Sequence, residues 1–464
     1  MKINIYKSFS ISFALILSGF IASGQQTSSA VIGKISDSKS GLPGATVQII
    51  YQPTNTSFGV TTNEEGRFFI ANLNPGGPYQ IIVTFVGYKT QQFNDLYLKL
   101  GETLKQDVTL VEETQILAEA KIVGIREEVT EKTGTGTNVS REQIGALPTL
   151  TRSFSDFTRL TPQSSNNSFA GTNFRYNNIT LDGAINNDAI GFSPQLGGQT
   201  STANQPGSST RTNSFSLDAI QQVQVQIAPY DVSLGNFTGG SVNAVSRSGS
   251  NTVEGSAYTF ARNTSLTGKY KGAEKVGDGS LASSYYDYQT GFRIGLPLIK
   301  NKLFWFTNEE VTKNSVPSVF LANSPNYFMN QTLSQVDNGN VPASLVAYSN
   351  MSVADAIASK LESMPVSQFN PSGGFNPGSF GNYSIYSKSI KFFNRFDWVI
   401  NKNHSLTLRN NTIVSSASNL ERSTTEFQFG SYDFIQHNNN SSTVAELKSR
   451  CGNNISNSLI IGYT

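Results

Sequence analysis

Residues 228–251 read APYDVSLGNFTGGSVNAVSRSGSN, and this run decides the fold. Gly235, Gly239 and Gly240 make a glycine-rich turn, where bare backbones approach closely or adopt positive φ, and Ser241 to Ser246 follows as a strand with a polar exit. A phosphate cradle does not fit, because no Gly-Lys-Ser/Thr follows and no helix opens after the glycines. The residues just upstream, LDAIQQVQVQIA from Leu217, begin with a brief helix. They then alternate Val223, Val225 and Ile227 with Gln222, Gln224 and Gln226, the pattern of a half-buried strand.

Working backward, RYNNITLDGA is a strand ending in the turn pair Asp182-Gly183. A helix is expected from Ser140, with Glu142 and Gln143 in its first turn and Pro148 limiting it. A second short helix carries Phe154, Phe157 and Leu160 and stops at Pro162. TGTGTN at Thr133 is a lone Gly-x-Gly without a preceding strand and reads as a linker.

Working forward, segments of about ten residues alternate in hydrophobicity between turns and long polar loops, as outer-membrane strands do. Seven strands are expected: Val253 to Arg262, Tyr285 to Leu296, Leu303 to Val311, Ser389 to Ile400, Ser405 to Val414, Thr443 to Arg450 and Ser456 to Thr464. Ile390, Phe392, Phe396, Trp398 and Ile400 alternate with Lys391, Arg395 and Asp397, which suits one face in lipid and one in a wet lumen. Trp305, Phe306 and Trp398 are expected on the lipid side or the ends. The short connections PLIKNK, NKNH and CGNNI suit periplasmic turns, and the long ones, 312–388 and 415–442, suit external loops. Seven strands leave unpaired edges that a hydrocarbon core does not tolerate, so the chain is expected to stop inside a longer barrel.

At the other end, Lys2 and Lys7 precede an apolar run from Ile11 to Ile21, and Ala22-Ser23-Gly24 supplies small residues, so residues 1–24 read as a signal peptide. As a retained anchor the run is too short, since spanning a bilayer takes about 20 residues. From Ser29 to Glu112, period-two patterning broken at turn residues suits a β-sandwich. Its strands are Val31 to Ser36, Ala45 to Tyr51, Phe58 to Thr62, Arg67 to Ile70, a central and well-covered strand from Tyr79 to Val86, and Gln106 to Leu110. Gly66 is expected to close a hairpin between the third and fourth. After the sandwich, VEETQILAEAKIVGIREEVTE alternates poorly as a strand and buries only a narrow stripe as a helix. It serves either as a plain linker or as an extended segment that adds to another protein's sheet edge.

Composition closes several alternatives. With only His404 and His437, and no ligand-spaced partners beside them, neither a histidine zinc site nor a Ser/His/Asp enzyme is supported. Cys451 is the one cysteine, so there is no internal disulfide. A net charge of +2 without a Lys/Arg run argues against a nucleic-acid partner.

These motifs resemble known modules. GLPGATVQII, TTNEEGRFFI, GGPYQIIVTFVGY and QDVTL are similar to the carboxypeptidase-regulatory-like domain, a sandwich often found ahead of outer-membrane receptors in the Bacteroidota; no peptidase residues accompany it here. The run from Leu217 to Asn251, together with NNITLDG, resembles the end of the plug in TonB-dependent outer-membrane receptors, above all the Oar-like subgroup. GLPLIKNKLFWF is similar to the second hairpin of that subgroup's barrel.

The resemblance implies a mainly β chain. Its parts would be a sandwich at 29–112, a TonB-box-like linker at 113–132, a small α+β plug at 133–250, and the first strands of an antiparallel transmembrane barrel at 251–464. LAEAKIVG, that is Leu117, Ala118, Glu119, Ala120, Lys121, Ile122, Val123 and Gly124, is similar to the TonB box. The implied function is energised uptake across the outer membrane by a receptor with a periplasmic sandwich. The implied partners are TonB with its inner-membrane energising complex, outer-membrane lipid and an unidentified substrate, with a surface lipoprotein as a further candidate. No catalytic residue, metal or cofactor is expected. The alternative is a surface or adhesion protein of the same architecture that imports nothing.

Overall fold

The computed structural model describes residues 27–113, 135–147, 149, 152–153, 155–165, 168–187, 208–227, 235, 237–267, 285–317, 329, 331–363, 365–366, 370–374, 376, 378, 384–418, 429–452 and 455–464. The signal-peptide expectation at 1–24 and the TonB-box-like residues Leu117 to Gly124 lie outside these.

The N-terminal unit is a sandwich of β1 (Ser29–Ser36), β2 (Thr46–Tyr51), β3 (Thr56–Thr61), β4 (Arg67–Leu73), β5 (Gly76–Thr84), β6 (Gln91–Leu98), β7 (Thr103–Lys105) and β8 (Val108–Thr109). One sheet has the order β4-β1-β7, with β8 also on β1, and the other β3-β2-β5-β6. Inward residues such as Val31, Ile35, Val47, Ile49, Ile70, Leu73, Ile81 and Val83 close a core of their own. Each such aliphatic side chain contributes about 1.5–3 kcal/mol through burial.

Two expectations are corrected here. Gly66 does take positive φ (78°), but β3 and β4 belong to different sheets, so the turn is a corner between the layers and not a hairpin. The Asn63 side chain shapes it, accepting from the amides of Glu65 and Arg67 at 3.1 and 2.8 Å. The strand of Tyr79, Ile81 and Val83 is central, but only that face is sealed; Ile82 is half-buried and Val86 is 93% exposed.

The unit expected as a plug, and called the plug below, is built on a five-stranded sheet of order β13-β12-β15-β14-β9. TGTGTN contributes to an edge strand, β9 (Thr135–Ser140), and is not a linker; pairing with β14 rescues a sequence of weak strand propensity. Ser140 caps α1 (Arg141–Ala146) in a capping box with Gln143, as the sequence indicates. After α2 (Ser155–Thr158) and the two-residue pair β10 (Ser164–Ser165) and β11 (Ser168–Phe169) come β12 (Asn178–Leu181) and β13 (Ala184–Ile185). Asp182 (φ 48°) and Gly183 (φ 79°) join β12 to β13 in a tight two-residue turn.

β14 (Ile220–Ile227) is covered on both faces, not half-buried: Gln222 and Gln224 are as buried as Val223 and Val225. β15 (Gly240–Ser246) is buried throughout. Gly239 and Gly240, at its start, serve close approach rather than positive φ, whereas a Cβ on Gly235 would meet open space. A Cβ on Gly240 would lie 2.5 Å from the Phe169 ring, and one on Gly239 would lie 2.4 Å from Asn177 Oδ1.

Seven long antiparallel strands follow: β16 (Glu254–Asn263), β17 (Tyr286–Ile299) and β18 (Leu303–Pro317), then β21 (Ser384–Val399), β22 (His404–Ser418), β23 (Ile435–Cys451) and β24 (Ile455–Tyr463). They pair in chain order. All seven expected strands are present, but five run past their expected bounds; in β18, β21, β22 and β23 the added residues are mainly polar and extend beyond the apolar band that marks the strands in sequence. The connection between β18 and β21 carries α3 (Leu333–Val336), α4 (Val353–Ser363), β19 (Pro365–Val366) and β20 (Asn370–Gly374).

Ile390, Phe392, Phe396, Trp398 and Ile400 are all 40% or more exposed on the outer face, while Lys391, Phe393 and Arg395 are buried inward. Trp305 stacks on Phe396 outside, with ring centroids 6.2 Å apart. Phe306 departs from expectation: successive strand residues alternate faces, so as the neighbour of Trp305 it points inward, buried against Phe393 in an edge-to-face contact at 6.1 Å. Both rings join the core made by plug residues Ile179, Leu181, Val223, Val225 and Val242.

Candidate functional site: the plug against the barrel wall

Side chains from the plug and the inner face of the strands meet in a buried polar seam. Its centre is Asp182, aimed at the wall by the tight turn between β12 and β13. Arg395 of β21 and Arg409 of β22 stand opposite each other in register. Asp182 Oδ2 lies 2.8 Å from Arg409 Nε as an ion pair outside hydrogen-bond alignment, and Oδ1 lies 3.7 Å from Arg395 Nη1.

Ser246, at the end of β15, donates its amide (2.7 Å) and its hydroxyl (2.6 Å) to the same carboxylate. Arg395 donates to the Ser246 carbonyl and hydroxyl at 3.0 and 2.9 Å, and its far side is held by Asp397 at 2.8 Å. Arg409 also donates to the carbonyl of Leu181. Burial by itself would push the Asp182 carboxyl up; the Arg409 and Arg395 charges and the Ser246 donors outweigh it and hold the carboxyl below its ordinary value.

A second cluster sits along β18. Glu310 and Lys391 are opposite in register and paired at 2.7 Å, both almost fully buried. The plug reaches them through Ser216, whose hydroxyl donates to Glu310 Oε2 at 2.8 Å beside the Tyr258 hydroxyl at 3.0 Å. The plug segment before Ser216 is fastened to the wall over its length. Arg211 donates to the carbonyls of Tyr386 and Ser418 at 2.8 Å each, Ser387 donates to the carbonyl of Thr210 at 2.5 Å, and Asn411 donates to that of Ser214 at 2.9 Å.

Chemically the seam is a set of ion pairs and hydrogen bonds between plug and wall. Among the described residues no group of three or more His, Cys, Asp or Glu side chains converges as a metal site. The His404 ring nitrogen Nδ1 lies 3.0 Å from the Ser449 hydroxyl. A buried ion pair of this kind adds little net stability, but removing one partner strands a charge and costs about 3–5 kcal/mol. The seam therefore fixes the position of the plug more than it stabilises the fold.

Sequence reasoning placed Arg395, Lys391 and Asp397 on the lumen face, and the structure has them there, Arg395 with Asp397 in the first cluster and Lys391 with Glu310 in the second. It took Asp182 only as a turn residue and passed over residues 208–216. The signal available was an Asp on a plug turn facing two Arg on neighbouring lumen-facing strands.

Fold and seam together are those of an antiparallel seven-stranded wall, resembling part of a barrel, with a five-stranded unit docked on its inner face. Residues 30–111 match the carboxypeptidase regulatory-like domain and residues 245–464 an outer membrane beta barrel domain. The chain is 25% identical over 426 residues to the TonB-dependent transporter Oar of Myxococcus xanthus, covering 87% of this chain and 35% of that protein. It thus spans about a third of the length of that relative. It is similar to the outer-membrane transporter YddB of Escherichia coli (TM-score 0.44, 11% identity, 70% of this chain and 38% of that one). It is similar also to the ferric enterobactin receptor PfeA of Pseudomonas aeruginosa (TM-score 0.42, 11% identity, 72% and 40%). The chain carries a carboxypeptidase regulatory-like domain and an outer membrane beta barrel domain, is similar to a TonB-dependent transporter, and resides in the outer membrane.

Proposed function

We propose that the protein takes part in energised uptake of a substrate across the outer membrane. In this reading TonB adds to the extended segment Leu117 to Gly124 by main-chain hydrogen bonds, and its inner-membrane complex supplies the energy that moves the plug. The division into a sandwich at 29–112, a linker at 113–132, a plug at 133–250 and barrel strands from 251 belongs to the same proposal.

The observation that carries it is the buried seam around Asp182. A plug fixed to the wall by ions and hydrogen bonds, and not by chain connectivity alone, blocks the lumen until work is done on it. The TonB-box-like segment lies between the sandwich, which ends near Glu112, and β9, the edge strand of the plug sheet. Force applied there reaches the plug sheet directly.

The test is deletion of Leu117 to Gly124 in the full-length gene. Outer-membrane levels should remain normal, while capture of the purified periplasmic domain of TonB by the membranes, and uptake, should both be lost. Capture and uptake at wild-type levels would sink the reading.

A further inference from the structure

Gln222 and Gln224 alternate with buried valines on β14 as if they faced water, yet they are 4% and 6% exposed. The sandwich covers them. The Leu100 amide donates to Gln222 Oε1 at 2.7 Å, and Gln224 Nε2 donates to the Leu100 carbonyl at 2.9 Å. The sandwich is fastened to the short-turn end of the barrel by contacts that are likewise polar. Lys448 donates to Asn74 Oδ1 at 3.1 Å, Asn72 Nδ2 donates to the Asn457 carbonyl at 3.3 Å, and Arg450 donates to the Ala71 carbonyl while lying 4.1 Å over the Phe58 ring. A cavity of about 230 Å³ remains between sandwich, plug and wall, lined in part by Tyr51, Tyr97, Gln221 and Arg293.

The two interfaces of the plug differ in kind. Toward the wall it shares an apolar core with Phe306 and Phe393. Toward the sandwich it offers glutamine amides, and the sandwich core is closed without it. Polar groups satisfied across an interface exchange their partners for water at small net cost, whereas a shared apolar core does not. A strand face that is polar although buried suits a contact that opens.

We propose that the sandwich is a detachable periplasmic cover, an autoinhibitory contact held by Lys448 and Arg450 of β23, that must lift from β14 before the plug moves. The plug then has two restraints released in order, the cover first and the wall seam second. This goes beyond the uptake reading and is tested without uptake.

The experiment uses the full-length protein in isolated outer membranes with Cys451→Ser to remove the native thiol. With Gln221→Cys added, a bulky maleimide should label slowly when Lys448 and Arg450 are present and at least tenfold faster in Lys448→Ala/Arg450→Ala. Equal rates, whether both slow or both fast, would overturn the proposal. A separate pair, Asn72→Cys with Asn457→Cys, should crosslink on oxidation in membranes whose barrel is intact by heat-shift on a gel. Absence of that crosslink in an intact barrel would overturn it equally.

Discussion

Arg395 and Arg409 face each other directly across β21 and β22, two like charges in register, with the plug carboxylate of Asp182 set against both. Opposed like charges on neighbouring strands repel. The wall in this region is therefore incomplete by itself, and the plug supplies the missing charge. Asp182→Asn should leave Arg409 without its buried counter-charge and Arg395 with Asp397 alone, and weaken plug docking by about 3–5 kcal/mol. The expected outcome is faster protease cleavage within residues 135–247 in an intact barrel, and docking at wild-type strength would contradict it.

The same carboxyl sets a pH window. Its folded pKa lies below the ordinary value of 3.8, so its contribution is full above 3.8 and is lost only as pH falls through the lower folded value. Between pH 7 and 5, this carboxyl should bring no change in plug docking. Below 3.8, pepsin should begin to reach the plug of the parent protein, and Asp182→Asn should show no such step. A transition near pH 6 would place the switch elsewhere.

At Gly240 the backbone runs against Phe169, leaving no room for a methyl group. Gly240→Ala should cost about 1–3 kcal/mol of plug stability through overpacking. Adding Phe169→Ala should restore part of the loss relative to Phe169→Ala alone, read by hydrogen exchange across β15. Simple additivity of the two substitutions would show that the contact is not limiting.

Depth in the bilayer should be readable on the outer face of β21. Phe392→Arg, near the middle of the strand, should destabilise folding into lipid vesicles by about 2–4 kcal/mol. Trp398→Arg, near the turn, should cost about 0–1 kcal/mol. Urea titration of the refolded barrel measures both, and equal costs would refute the assigned lipid face.

How much of this was legible in the sequence depended on whether a residue's partner was local. Ser140 announces its helix because its capping partner Gln143 is three residues away. The turn at Asp182-Gly183 is legible for the same reason, and the outward row of Ile390, Phe392, Phe396, Trp398 and Ile400 follows from alternation alone. β9 was missed because TGTN has weak strand propensity and gains its place by pairing with β14. The burial of Gln222 and Gln224 was missed because the sandwich that covers them lies more than a hundred residues away, beyond any periodic signal. Asp182 as the centre of the seam was hidden likewise, since its two arginines belong to strands far along the chain. The start of β23 was set eight residues late, since QHNNNSS carries no apolar alternation.

The strand order of the plug sheet bears on how the protein is assembled. β15 lies between β12 and β14, pairing in parallel with one and antiparallel with the other. Without it the sheet separates into β12 with β13 and β14 with β9, and isolated two-stranded pieces are marginal in water. The barrel strands have no such dependence, because each pairs with its neighbour in sequence. As the chain emerges, the sandwich closes on its own core, but the plug waits for its last strand, Gly240–Ser246, and β16 begins only eight residues after that strand ends. The strand that completes the plug sheet and the first strand of the wall are thereby neighbours in sequence, so any order of assembly that follows the chain meets them together.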